Sequence, residues 1–250
     1  MASWNGTTAD CCSTLYAILN CDSTTNRVNR FVIEYSHKLN GRTIPSAISE
    51  LTYLTWISFQ GAGLVGSIPP SFVNLKYLQV LLLSGNRLSG PIPEFLGRMQ
   101  SLTLLQLTGN RFSGTIPASL SGLRNLTSLL LSNNNLTGTI PNSFGNFSSQ
   151  FQLLELSDNR LSGEIPRSLG YLESLSAVHL WNNEFRGDAS FLFGSNKSTR
   201  EMYLSNNALE FNFSDVGIPS TLFGLDISRN KIFGSIPQGL ATITNLYFLN

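Results

Sequence analysis

Apolar residues recur along most of the chain in a unit of about 24 residues. One unit runs from Leu75 to Pro93, and its spacing of leucine, asparagine, glycine and proline positions recurs in the next two units. In the two units before Leu75, Ala62 and, less regularly, His37 stand where each later unit has an asparagine. We count about nine repeats, and Leu246 begins a fragment of a tenth. The marker asparagines, which we call the ladder, follow one another at 23 to 25 residues: Asn86, Asn110, Asn134, Asn159, Asn183, Asn207 and Asn230.

Each unit contains a Leu-x-Leu pair whose two side chains point to one face of a short strand. The ladder amide that follows can hydrogen-bond to backbone groups of adjacent coils. A glycine then permits a tight bend, and an Ile-Pro pair adds a rigid apolar step. Ten residues after the ladder position lies a second apolar row: Phe72, Leu96, Leu120, Phe144, Leu169, Phe193 and Leu240.

Both apolar rows are buried only if neighbouring coils stack. The pattern therefore predicts an α/β solenoid with a parallel β-sheet on its concave side. Units of this length leave little room for a full helix, so we expect short 3₁₀ turns on the convex side. A second, shorter strand is expected near Leu-Ser-Gly or Leu-Thr-Gly.

The composition narrows the classes of partner. Charged residues make up 12% of the chain, against about 25% in an average domain, and the formal net charge is +1. This balance argues against nucleic acid, which requires concentrated Lys and Arg. The sequence shows no apolar run of 18 residues, no signal peptide and no nucleotide, metal or hydrolase motif, so we expect no membrane segment and no cofactor.

All three cysteines, Cys11, Cys12 and Cys21, lie near the start of the chain. One interpretation is three reduced thiols, and the other is a disulfide-bonded end cap. Since vicinal cysteines rarely bond each other, the cap would pair Cys12 with Cys21 and leave Cys11 without a partner in this chain.

The closing Leu-x-Gly-x-Ile-Pro of each unit resembles the plant-type extracellular leucine-rich repeat over roughly residues 50–250. Several irregular segments are similar to polygalacturonase-inhibiting proteins of plants. They are Asp10-Cys11-Cys12 to Cys21-Asp22 with Asn26-Arg27-Val28, then residues 187–194, 209–212 and 225–240.

The resemblance implies a right-handed leucine-rich-repeat superhelix that is secreted to the plant cell wall. It also implies a non-enzymatic protein that covers a fungal or insect polygalacturonase with its concave face, with cell-wall pectin as a second candidate partner. Family members have further cysteines in both caps. We therefore expect a partial cap over residues 1–26, repeats over 27–250, and a chain that begins inside one cap and stops inside a repeat.

Residues between the inward leucines are expected to face the partner. Aromatic side chains are typical interface anchors, and carboxylates would steer a basic surface. Val80, Leu82, Leu104, Leu130 and Leu153 would form an exposed apolar patch, unless neighbours shield them. The candidate partner-binding residues are Leu82, Gln106, Leu130, Glu155, His179, Trp181, Glu201, Tyr203 and Asp226.

Other functions have weaker support in the sequence. A Ser/Thr column beside the turn, including Thr108, Ser132 and Ser157, would suit an ice-binding offshoot of the family, although serine there is ordinary repeat consensus. Glu155 and His179 would be neighbours, but an open sheet is a poor catalytic site. A receptor-type ectodomain is the main alternative. Sequons that permit N-glycosylation in a secretory route begin at Asn5, Asn125, Asn135, Asn146, Asn196 and Asn212.

Overall fold

The computed structural model describes residues 19–22, 24–25, 27–33 and 39–250. Within them, eleven strands form one long sheet, in which each strand pairs with the corresponding strand of the next coil. All pairs are parallel except β1 with β2. In order across the sheet, the strands are β1 (Leu19–Cys21), β2 (Val28–Val32), β3 (Trp56–Ser58), β5 (Val80–Leu82), β7 (Leu104–Gln106), β9 (Ser128–Leu130), β11 (Leu153–Glu155), β13 (Ala177–His179), β15 (Glu201–Tyr203), β17 (Gly224–Asp226) and β18 (Phe248–Leu249).

A second, shorter parallel sheet follows the ladder positions, as the Leu-Ser-Gly and Leu-Thr-Gly segments predict. Its outward side chains are mostly polar, whereas Leu88, Phe112 and Leu136 point inward and are fully buried. This alternation is the signature of a sheet with one solvated face. Its strands are β4 (Val65–Gly66), β6 (Arg87–Gly90), β8 (Arg111–Thr115), β10 (Asn135–Gly138), β12 (Arg160–Glu164), β14 (Glu184–Gly187) and β16 (Ala208–Leu209).

Short 3₁₀ helices connect the two sheets, as expected for units of this length. In most coils the proline of the Ile-Pro pair precedes the helix with φ between −61° and −69°, the value that its ring enforces. Residues 210–223 contain no such helix. In the described part of the chain the helices are Ser46–Glu50, Pro70–Asn74, Glu94–Arg98, Ala118–Gly122, Asn142–Asn146, Arg167–Tyr171, Ser190–Leu192 and Gln238–Thr242.

The core consists of the two predicted apolar rows. Both leucines of the Leu-x-Leu pairs in the central coils are fully buried, for example Leu105 with Leu107 and Leu129 with Leu131. Every member of the second row, from Phe72 to Leu240, is buried as well. Each coil therefore stabilises its neighbours by covering their apolar side chains, at about 25 cal/mol for each Å² removed from water.

The ladder asparagines join adjacent coils through their side-chain amides. In Asn110 the Nδ2 group donates to the carbonyl of Leu83 in the preceding coil at 2.9 Å and to that of Leu107 at 3.0 Å. Its Oδ1 accepts from the amide of Leu88 at 3.0 Å. All seven asparagines repeat this arrangement. The predicted role of the amide is confirmed.

The N-terminal end supports only part of the cap prediction. Strand β1 pairs antiparallel with β2, and Cys21 is disulfide-bonded. Cys11 and Cys12 lie outside the described residues, so the pairing of Cys12 with Cys21 and the orphan state of Cys11 stay predictions. The domain boundary at residue 26 also stays a prediction.

Candidate functional site

A cluster of aromatic and ionisable side chains lies on the open face of the long sheet. The strand register places Glu155, His179, Tyr203 and Asp226 in one row. Glu201 lies beside this row on β15, and Trp181 follows His179 by two residues. We call His179, Trp181, Glu201, Tyr203 and Asp226 the aromatic–acidic cluster. The structure therefore brings together five of the predicted binding residues on strands β13 to β17.

His179 forms its ion pair with Glu201. Its Nε2 lies 2.8 Å from Oε2 of Glu201 on β15. Glu155 and His179 are neighbours in register on adjacent strands, as the sequence predicts. Both glutamates belong to strands adjacent to β13, and the side-chain conformation selects Glu201 as the partner.

Tyr203 is the central side chain of the cluster. Its ring stacks on the His179 imidazole, with centroids 4.8 Å apart and planes at 29°. The absence of a side chain at Gly224 leaves room for the Tyr203 side chain, because a β-carbon on residue 224 would clash with the Tyr203 hydroxyl. Burial, and then the charges of Glu201 and Asp226, raise the pKa of Tyr203. The raised pKa keeps the phenol protonated to a higher pH than an ordinary tyrosine, as a hydrogen-bond donor.

An open cleft of about 440 Å³ extends from this tyrosine across the sheet. The sequence pattern did not predict three of the aromatic residues that line it, Phe223, Tyr247 and Phe248. Phe248 continues the column that holds Gly224, one repeat further on. Phe223 and Tyr247 occupy the position before the strand. Extending the repeat past Asn230 would have found Phe248. The lining, which we call the aromatic cleft, is Trp181, Tyr203, Ser205, Phe223, Asp226, Tyr247 and Phe248.

The apolar half of the sheet does not form the predicted exposed patch. Val80 and Leu82 are only 8% and 7% exposed, and Leu104, Leu130 and Leu153 are half-buried. Strands of a sheet lie about 4.8 Å apart, so side chains of one row cover each other's flanks. Of the two alternatives that the sequence leaves open, the structure shows shielding by neighbours, and Leu82 presents almost no area to a partner. Gln106 lies in the same row and is half-buried.

The hydroxyl column beside the turn is also less exposed than expected. Ser132 and Ser157 are 5% and 1% exposed. Within the described residues, their hydroxyls and that of Thr108 are buried and have no hydrogen-bond partner. These side chains lie where the chain turns from the sheet into the core. The prediction that this column faces solvent is therefore wrong at Ser132 and Ser157.

The residue before each ladder asparagine adopts a left-handed backbone. Glycine supplies it in the early coils, for example Gly85 with φ 68°, and asparagine at Asn182 and Asn206 with φ 54°. These side chains add a second ladder, in which Asn182 donates to Asp158 at 2.7 Å and Asn206 donates to Asn182. Arg229 adopts the same left-handed backbone at φ 52°. This conformation is costly for arginine, because its long side chain lacks the local hydrogen bond to the backbone that asparagine or aspartate can form.

The sequons lie away from this face. Asn125, Asn135, Asn146, Asn196 and Asn212 are exposed, and none belongs to a strand of the long sheet. Glycans on these residues would leave the aromatic–acidic cluster accessible. Asn5 lies outside the described residues, and the modification itself stays a prediction.

The described ranges contain no group of three or more His, Cys, Asp or Glu side chains arranged to hold a metal ion. None of their helices combines the length and the apolar character that a membrane crossing requires.

Stacked coils with a parallel concave sheet and an asparagine ladder define a leucine-rich-repeat solenoid. Models of the leucine-rich-repeat family match residues 76–136 and 150–172. Polygalacturonase inhibitor 1 of Phaseolus vulgaris is 44% identical over 61 residues, which is 24% of this chain and 18% of that protein. The polygalacturonase inhibitor of Pyrus communis is 51% identical over 61 residues, with the same two shares. The match thus spans about a fifth of the length of these relatives.

Solved structures show the fold over nearly the whole chain. A plant ice-binding protein is 38% identical with a TM-score of 0.91, over 97% of this chain and 77% of that one. The complex of PEPR1 with AtPEP1 gives 32% identity and a TM-score of 0.77, over 87% of this chain and 30% of that one. The chain belongs to the plant leucine-rich-repeat family and, within it, is similar to the polygalacturonase inhibitors.

Proposed function

We propose that this chain is a non-catalytic protein-binding module that inhibits a secreted fungal polygalacturonase in plant defence. The observation that carries the proposal is the similarity to polygalacturonase inhibitors from several plants. The same similarity supports an extracellular location at the cell wall. The matched segment is about a fifth of the length of each relative, so inhibition as an activity of this protein is part of the proposal.

The proposed binding surface is the face of the long sheet around the aromatic–acidic cluster. Trp181 and Tyr203 are half-buried, so each offers a rigid aromatic surface that a partner can cover at low entropic cost. Glu155, Glu201 and Asp226 supply negative charge, which suits a basic patch on the partner. Gln106 and Leu130 would extend the contact towards the N-terminal coils, whereas buried Leu82 would contribute little.

A reducing-sugar assay tests the proposal. Several fungal polygalacturonases would be titrated with the purified protein, using polygalacturonate as substrate and heat-denatured protein as the control. We expect dose-dependent inhibition of at least one enzyme. Full activity of every enzyme at a large molar excess of folded protein would refute it. Co-sedimentation with pectin in the absence of enzyme would separately measure the proposed pectin binding.

Ice binding is a second candidate, favoured by the similarity to a plant ice-binding protein over 97% of this chain. The buried hydroxyls of Ser132 and Ser157 cannot contact ice, so the column beside the turn does not supply the surface. The exposed threonines Thr115 and Thr137 on the short sheet, and Thr139 directly after it, would have to do so. Thermal hysteresis and faceted ice crystals at micromolar protein would support this function over inhibition.

A receptor-type ectodomain is the third candidate. The HAESA ectodomain bound to the peptide hormone IDA and the co-receptor SERK1 is 31% identical with a TM-score of 0.72, over 93% of this chain and 43% of that one. A longer transcript that encodes a transmembrane segment and a kinase or tail would favour a receptor. A stop codon soon after a cysteine-containing cap would favour the inhibitor.

A further inference from the structure

We propose that the aromatic cleft receives one lysine or arginine side chain of the protein partner. This inference rests on the proposed function, because it assumes that the long sheet binds a protein and names the side chain of that protein that the cleft would bind. The proposal follows from the combination of aromatic walls and a carboxylate in one cleft, with no cationic side chain among the lining residues.

The walls are held in place by aromatic contacts. Phe248 lies edge-on to Tyr203, with centroids 6.1 Å apart and planes at 85°. Phe223 and Tyr247 stack on each other at 5.4 Å and 5°. Because His179 stacks on the same tyrosine ring, Tyr203 is supported on two sides. Because these rings already contact one another in this arrangement, a cation could bind to their π-electrons without a change of conformation.

Asp226 supplies the matching charge. Its Oδ1 accepts hydrogen bonds from the amide and the hydroxyl of Ser228, at 3.0 and 2.7 Å. Within the described residues, its Oδ2 accepts none, so this oxygen is available to an incoming donor. Burial raises the pKa of Tyr203, and the negative charges of Glu201 and then Asp226 beside the cleft raise it further.

The charges around the cleft favour a cation over a neutral group. Arg200 precedes β15 and Arg229 follows β17; both are exposed, and neither belongs to the lining of the cleft. A purely apolar occupant would remove water from the Asp226 carboxylate and leave its Oδ2 without a hydrogen-bond donor, which is costly. An ammonium or guanidinium group on an aliphatic stem satisfies both the carboxylate and the aromatic walls.

The test uses small probes, so that it does not depend on knowing the partner. N-acetyl-lysine methylamide, N-acetyl-arginine methylamide and the uncharged N-acetyl-norleucine methylamide would be titrated into ¹⁵N-labelled protein. The indole N–H signal of Trp181 would report binding, with methyl galactoside as a probe for a sugar site. We expect the lysine or arginine probe to bind at least about fivefold more tightly than the norleucine probe.

Variants separate the cleft from the general charge of the protein. Asp226→Asn keeps an acceptor oxygen for Ser228 and should weaken binding of the cationic probe at least about fivefold. Glu184→Gln removes the same charge from an exposed position on the short sheet, outside the cleft lining, so it should leave the affinity unchanged. Equal losses in both variants, stronger binding of norleucine, or binding of the galactoside alone would overturn the proposal.

The same variants distinguish this inference from the proposed function. If the cationic probes bind as expected but wild-type protein inhibits no polygalacturonase, the inhibitor function fails and the cleft assignment stands. If wild-type protein inhibits an enzyme, the probes do not bind and Asp226→Asn inhibits equally well, the cleft assignment alone fails. Unchanged thermal melting of Asp226→Asn would show that any loss arises in the cleft.

Discussion

Replacing Asn134 with alanine should weaken the stack of coils at one defined place. The Nδ2 group of Asn134 donates to the carbonyls of Leu107 and Leu131 at 3.1 and 3.0 Å, and its Oδ1 accepts from the amide of Phe112 at 3.0 Å. Asn134 is only 9% exposed, so water does not reach these three backbone groups in the native protein. Alanine would leave the Phe112 amide without a partner, whereas the carbonyls of Leu107 and Leu131 would each lose one hydrogen bond and keep the one donated by Asn110 and Asn159, respectively.

The buried amide that loses its partner costs about 1–3 kcal/mol, and each of the two hydrogen bonds lost at the carbonyls costs about 0.5–1.5 kcal/mol. Water that enters the space left by the side chain would offset part of this sum, so we expect a loss of about 2–4 kcal/mol in the free energy of unfolding. The chain offers a matched control in the next residue. Asn135 is exposed and its side chain makes no hydrogen bond to any described residue, so Asn135→Ala should change stability by less than about 0.5 kcal/mol.

Urea unfolding followed by circular dichroism would measure both variants, with unglycosylated protein because Asn135 begins a sequon. Hydrogen exchange gives a local readout, since the Phe112 amide should lose its protection in Asn134→Ala and keep it in Asn135→Ala. A difference of less than about 1 kcal/mol between the two variants would refute the reasoning, because the side-chain ladder would then contribute no more than a surface residue.

Three further predictions concern close packing, backbone strain and titration. Gly97→Ala should lower the free energy of unfolding by about 2–3 kcal/mol in urea, because its β-carbon would clash with the backbone oxygen of Ser119 in the next coil. Gly114→Ala should cost only about 1 kcal/mol, because its β-carbon would enter open space and only the backbone, at φ 78°, would be strained. Equal costs would contradict this ranking. Arg229→Gly should gain about 0.5–1 kcal/mol by relieving a left-handed backbone, and a loss would show that the arginine makes a compensating contact. Because the pKa of Tyr203 is raised, its contribution to stability is complete below its unfolded pKa of about 10 and is lost as the pH rises through the folded pKa. Glu201→Gln should lower that pKa, as measured by tyrosinate absorbance, and no change would show that Glu201 does not act on the phenol.

The repeat predicted the fold because spacing alone determines which side chains point inward. A Leu-x-Leu pair such as Leu105 and Leu107 must share a face of a strand, and a polar amide such as Asn110 can be buried only where it satisfies backbone groups. The same spacing could not predict exposure. Leu82 points outward as expected, but the side chains on either side in its row leave it only 7% exposed.

The cluster was predicted in part for the same reason. Register brings His179 and Tyr203 together, but two adjacent strands each offered His179 a glutamate, and only side-chain conformation selects Glu201 over Glu155. The cleft required Phe223, which precedes its strand and therefore lies outside the alternating rows that sequence reasoning considered. Packing between coils, rather than the period of one coil, determines these details.

A variant with both Trp181→Ala and Tyr203→Ala would show whether this face of the sheet binds the enzyme. The variant and the wild type would be compared at equal concentration against a polygalacturonase that the wild type inhibits. We expect the inhibition constant to rise by at least about tenfold while the melting temperature stays the same. Inhibition equal to that of the wild type would show that this face of the sheet does not bind the enzyme.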